Sequence, residues 1–176
     1  MLPVGEDAQG ASVTVYTQSE IDFLLTCPKK ISDPPKTSAS LVNADFRNDM
    51  RLIASQGMQG EFRAFMRQSE DFPENFSVGL IYCPNDGRPD ITLLRCNGPH
   101  GVYNGSPEFD SEHPHWDYHV HKADERALDA GLRAERFAEK SAEFASYEQA
   151  LDFFVRAINL DPDDILQHFA DRTLFN

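Results

Sequence analysis

From Phe46 onward the chain alternates. Phe46, Asn48, Met50 and Leu52 fall on one side of an extended segment and Arg47, Asp49 and Arg51 on the other; Phe62, Ala64 and Met66 alternate in the same way with Arg63 and Arg67. Period two predicts two half-buried strands. A helix through these residues would have to carry Gly57 and Gly60 in its interior, at about 1 kcal/mol each. The β-rich runs FSVGLIYC (76–83) and DITLLRC (90–96) flank an Asn85-Asp86-Gly87 turn, which predicts a hairpin. Further on, Trp116, Tyr118 and Val120 alternate with Asp117, His119 and His121, a further strand with a carboxylate and two imidazoles on one face, about 6–7 Å apart in steps of two.

The flanks read as helices. Thr17 and Glu20 form a capping box ahead of Ile21, Phe23, Leu24 and Leu25, and Pro28 ends that short helix. Lys29 to Ser40, with its lysines and the Asp-Pro-Pro-Lys run, reads as an exposed loop with solvated lysines. The charged, alanine-rich stretch from Ala123 to Glu143 predicts an exposed helix or a pair of short ones. Ser146 and Gln149 make a second capping box before an apolar stripe of Tyr147, Leu151, Phe154, Val155 and Ile158, and Asp161-Pro162 opens a last helix through Phe169. The fold class that follows is α+β: a single domain over residues 1–176, with an antiparallel sheet of four to six strands and C-terminal helices packed on one face. Within it, residues 1–16 are a loosely ordered lead-in, 17–27 a short helix, 45–122 the sheet with a histidine-rich loop, and 123–176 helical.

Composition narrows the function classes. A chain of 176 residues, 40% apolar, can bury one core. No apolar run approaches the roughly 18 residues that span a bilayer, and the N-terminus lacks a signal-peptide pattern, so a cytoplasmic protein without membrane contact is expected. Cys27, Cys83 and Cys96 have no paired spacing, which argues against a disulfide framework or a thiolate zinc site. The net charge of -13 is uneven: residues 1–100 carry 9 basic and 13 acidic side chains, residues 101–176 carry 7 and 16. An acidic chain gains little from counterion release, so a polynucleotide would need a local basic patch. Arg47, Arg51, Arg63 and Arg67 would supply one if they share a sheet face with His119 and His121.

The chemistry concentrates between Asn97 and His121, which holds five of the six histidines (His100, His113, His115, His119, His121) and the only tryptophan. Imidazole donates protons, accepts them and binds metals near neutral pH. Three readings stay open. In the first, a divalent metal sits on the His119-x-His121 strand with His115, Asp117 or His100 completing the site; His119, His121 and Glu125 also reproduce the H-x-H-x3-E spacing of the cupin motif. In the second, phosphodiester cleavage proceeds without metal, one imidazole taking the ribose 2'-hydroxyl proton, another protonating the leaving oxygen, and an arginine steadying the phosphorane charge. In the third, the histidines only hydrogen-bond the loop to the sheet.

LLRCNGPHG followed by PHWDYHVH resembles the small bacterial toxins of toxin-antitoxin pairs, in which strands lead into an R-x-D-N-x-P-H-H element and then P-H-H-x-H before a final helix. Arg95, Asn97, Pro99 and His100 match the first element, and His119 and His121 the second. The resemblance implies a growth-inhibiting, RNA-directed toxin neutralised by an antitoxin partner. Catalysis would then fall to His100, His119 and His121 with Arg95 on the phosphate; the substrate-binding candidates are Asn97 and, from the strand register rather than the resemblance, Arg47, Arg51, Arg63 and Arg67. A different class stands beside it: a non-catalytic acidic inhibitor imitating a nucleic-acid backbone, with Asp124, Glu125, Asp129, Glu135, Glu139, Glu143 and Glu148 as the surface that meets a basic host target.

Overall fold

A computed structural model of the chain describes residues 15–100 and 114–169. The lead-in before Val15, the loop between His100 and Pro114 with His113, and the residues after Phe169 lie outside the described residues. The elements in order are α1 (Gln18–Thr26), β1 (Lys29–Asp33), β2 (Ser40–Val42), β3 (Asp45–Ala54), β4 (Glu61–Ser69), β5 (Phe76–Cys83), β6 (Ile91–Asn97), a 3-10 turn (Pro114–Trp116), β7 (His119–Lys122), α2 (Glu125–Asp129), β8 (Ala138–Lys140), α3 (Tyr147–Ala157) and α4 (Pro162–Phe169). All strand pairs are antiparallel, in the order β1-β3-β4-β5-β6-β7-β8, with β2 pairing beside β1 on β3. The α+β architecture is as the pattern predicts, with eight strands where four to six were expected.

The alternation sorts the sheet into two faces. Met50, Leu52 and Ala54 of β3, Phe62, Ala64 and Met66 of β4, and Val78, Leu80 and Tyr82 of β5 are buried. α3 covers this face at β5 and β6, and α1 packs on β6; their buried residues are Ile21 and Leu24 from α1 and Tyr147, Ala150, Leu151, Phe154 and Val155 from α3. Both expected caps form. Thr17 Oγ1 accepts from the Glu20 amide and Ser146 Oγ from the Gln149 amide, each at 3.3 Å. A bulge between Leu80 and Ile81 shifts the β5–β6 register, so Leu93 and Leu94 are both buried.

The departures from expectation lie at the sheet edges. Lys29 to Asp33 forms β1 rather than an exposed loop, and Lys29 is fully buried rather than solvated. Its Nζ donates to the carbonyls of Leu25, Cys27 and Ile158 at 2.8–3.0 Å and lies 4.7 Å from the centre of the Phe62 ring. One ammonium thus serves the carboxyl ends of α1 and α3, where helix carbonyls have no partner of their own. Residues 123–143 form only the short α2. Gly131, at φ +71°, follows its last turn, and the chain then extends into β8, which pairs with β7. The helix-favouring Ala-Glu-Lys composition yields there to the open edge of β7.

Candidate metal centre

Directly paired residues in an antiparallel sheet share a face. The pairing therefore lays two lines of side chains across the face opposite α3. One runs Arg47, Arg67, Ser77, Asn97, His119; the other runs Asp49, Phe65, Gly79, Arg95, His121. The expected common face of arginines and imidazoles is present. β5 and β6 separate the Arg67 and His119 positions, three strand spacings or about 14 Å.

At the β7 end four imidazoles converge. His119 and His121 come from β7, His115 from the 3-10 turn and His100 from the segment leaving β6. Gly98 shapes that exit: a Cβ there would lie 1.7 Å from the Glu74 carbonyl oxygen, so only glycine lets the chain pass. The His100 amide then donates to the His115 carbonyl at 3.0 Å, tying the two ends of the loop together. Ring centroids are 4.7 Å apart for His115–His119, 4.9 Å for His100–His115, 5.0 Å for His100–His119, 5.1 Å for His119–His121 and 5.5 Å for His115–His121. One ring nitrogen from each of His100, His115 and His119 lies within 4.8 Å of the others. His115, His119 and His121 are buried and His100 is exposed.

The hydrogen bonds define the tautomers. His119 Nδ1 is 2.8 Å from the Asp117 carbonyl and His121 Nδ1 3.0 Å from the Glu135 carbonyl; a carbonyl only accepts, so each Nδ1 carries the proton and each Nε2 a lone pair. His121 Nε2 is buried with no partner among the described residues. The Asn97 amide satisfies its surroundings when Oδ1 accepts from Arg95 Nη2 at 3.2 Å and Nδ2 donates to Ser77 Oγ at 2.8 Å and the Cys96 carbonyl at 3.3 Å. With His119 Nδ1 protonated, the opposite orientation of the amide suits this neighbour, because Asn97 Nδ2 then donates to the Nε2 lone pair at 3.2 Å. Burial disfavours a second proton on these rings. It pushes the His119 imidazole down to about 4 and His121 to about 3, and lowers His100 as well, with the charge of His115 adding to the effect.

Glu135, which sequence reasoning assigned to an exposed acidic surface, is buried here, its carboxylate 4.0 Å from Arg95 Nη1 and 3.9 Å from Arg133 Nε. Nothing local marks it; it is found only once β8 folds back beside β7. Other predicted residues stand elsewhere. Asp117 precedes β7 and gives the site its carbonyl, while its carboxylate pairs with Lys140 at 2.8 Å. Glu125 of the cupin-like spacing accepts from the Gln18 amide at 2.9 Å. The acidic residues after Lys122 do not line one helix: Asp124 caps α2, Glu125 holds α1 and Glu135 is internal. No protein-family model, curated protein or solved structure matches the chain.

Proposed function

We propose that the chain binds one divalent transition metal of the zinc class through His100, His115 and His119, with the His121 ring beside them. The observation that carries this reading is that one ring nitrogen from each of His100, His115 and His119 lies within 4.8 Å of the others, and that His119, like its neighbour His121, donates a hydrogen bond from its Nδ1 to a main-chain carbonyl. Metal-bound histidines characteristically donate a hydrogen bond from their second ring N–H to such an acceptor. A buried imidazole that stays neutral is already in the ligating form, with no proton to displace. His115 Nδ1 and His100 Nε2 are 3.2 Å apart, close to the roughly 3.3 Å between neighbouring nitrogens on a tetrahedral zinc with bonds near 2.05 Å. His100, the exposed member, is where solvent or substrate would meet the ion.

A second reading places the imidazole acid-base cleavage of RNA at the same residues, within a toxin held by an antitoxin. The exposure of His100, its proton-sharing distance to His115, and Arg95 beside Asn97 favour it. One experiment separates the two: metal analysis of the purified chain and a Co(II) titration followed by visible absorption, with RNA cleavage measured with and without chelator, for wild type and His119→Ala/His121→Ala. The metal reading expects one ion per chain in wild type and an affinity at least tenfold weaker in the double variant, the range typical of disturbed metal sites. Absence of stoichiometric binding, or equal binding by the variant, sinks it. Chelator-resistant cleavage abolished in the variant moves the function to the second reading.

A further inference from the structure

A cavity of about 520 Å³ lies on the same sheet face as the histidines, over β3, β4 and β5, and adjoins a second of about 550 Å³; Asp33, Asp49 and Arg67 line both. Together they are lined by five cationic side chains (Lys36, Arg47, Arg51, Arg63 and Arg67) and two carboxylates, Asp33 and Asp49. That local excess of positive charge sits on a chain whose net charge is -13.

The placement of the arginines opposes folding. Arg47 pairs directly with Arg67 and Arg51 with Arg63 across β3 and β4, and like charges directly opposite destabilise a sheet. Carboxylates offset part of this: Asp45 pairs with Arg47, Glu61 with Arg51 and Asp49 with Arg67. Arg63 is exposed and has no carboxylate partner among the described residues, and the Nε of Arg47 is buried without an acceptor. Between the two arginine pairs stands Phe65, with the Arg67 guanidinium 5.6 Å from its ring centre. The ring reaches across β5 at Gly79, where a Cβ would lie 2.4 Å from Phe65 Cζ and 2.9 Å from Arg95 Cγ. Glycine at this position leaves room for an aromatic platform between the arginines and the histidine end of the sheet.

We infer that this groove binds a phosphorylated nucleoside, its phosphate taken by Arg63 with Arg51 and its base laid on Phe65. Arginine matches phosphate with two parallel N–H groups, and aromatic side chains on open sheets stack bases of any sequence. The phosphate would relieve the facing-arginine repulsion that the protein's own carboxylates leave at Arg63. The ligand's source is a free nucleotide or one unit of a single strand. This inference does not rest on the metal centre.

The test is calorimetric titration of the full chain at low salt with AMP, inorganic phosphate and a short single-stranded oligo(dA), using wild type, Arg63→Gln, Arg63→Glu and Phe65→Leu, each first checked for native circular dichroism. AMP binding is expected to weaken by roughly tenfold in Arg63→Glu and less in Arg63→Gln, and to fall as salt is raised. Phe65→Leu should weaken AMP several-fold and leave phosphate unchanged, since stacking is lost and the charge is not. Oligo(dA) tighter than AMP assigns the strand as the source; equal affinities assign the free nucleotide. Binding by none of the three, indifference to Arg63→Glu, or equal response of AMP and phosphate to Phe65→Leu overturns the inference. The pattern should persist in His119→Ala/His121→Ala, which separates this groove from the histidine cluster.

Discussion

Lys29 shows how far one side chain can depart from its local sequence. Within Pro-Lys-Lys and ahead of Asp-Pro-Pro it carries every sign of a solvated position, yet its ammonium ties three carbonyls at the junction of α1, β1 and α3. Burial lowers it to about 8 from an ordinary 10.5. The unfolded chain therefore holds the proton between these values while the native chain releases it. The desolvation penalty is fully present below pH 8 and is relieved as pH rises to 10.5, at up to about 1.4 kcal/mol per pH unit. Denaturant titrations of wild type and Lys29→Met should show the wild-type stability minus that of the variant increasing over this window; a flat or falling difference refutes the assignment. Taking the difference cancels the cysteines and tyrosines, which ionise in both chains.

At the level of elements, β3 and β4 and the caps of α1 and α3 were legible because each obeys a local rule: period-two burial, or a hydroxyl accepting from an amide three residues on. β1 and β8 were not, because each is a short edge strand whose partner lies far along the chain: Lys29 opposite Ala54, and Ala138 opposite His121. α3 buries its stripe on the face opposite the imidazoles. Ser146→Ala should therefore lower stability by about 1 kcal/mol, measured by thermal unfolding, and leave the metal affinity of the folded protein unchanged. A loss of affinity would mean that α3 helps hold the site.

For the whole molecule, the face that carries the imidazoles is also one that acid should destabilise. His119 and His121 are held neutral at about 4 and about 3, below the ordinary 6.5, so the unfolded chain takes up protons first as pH falls. Stability is retained above 6.5 and lost between 6.5 and about 3, each imidazole adding up to about 1.4 kcal/mol per pH unit. In chelator-treated protein the denaturation midpoint should drop steeply below pH 6.5, and His121→Gln should make that drop shallower. An unchanged slope would show that His121 does not titrate between the two states.

The sequence by itself determined the alternation of the long strands, the capped helices, the acidity and the grouping of histidines in one stretch, since each depends on neighbours a few residues apart. It also implied the common face of arginines and imidazoles through side-chain parity along the strands. Tertiary structure decided the rest. Register brought His121 opposite Arg95 and His119 opposite Asn97, and the Gly98 crossing and the 3-10 turn carried His100 and His115 to the same point. The return of β8 buried Glu135 and sent Asp117 to Lys140. Long-range strand pairing and desolvation set which polar groups meet, and neither is encoded in a residue's immediate neighbours.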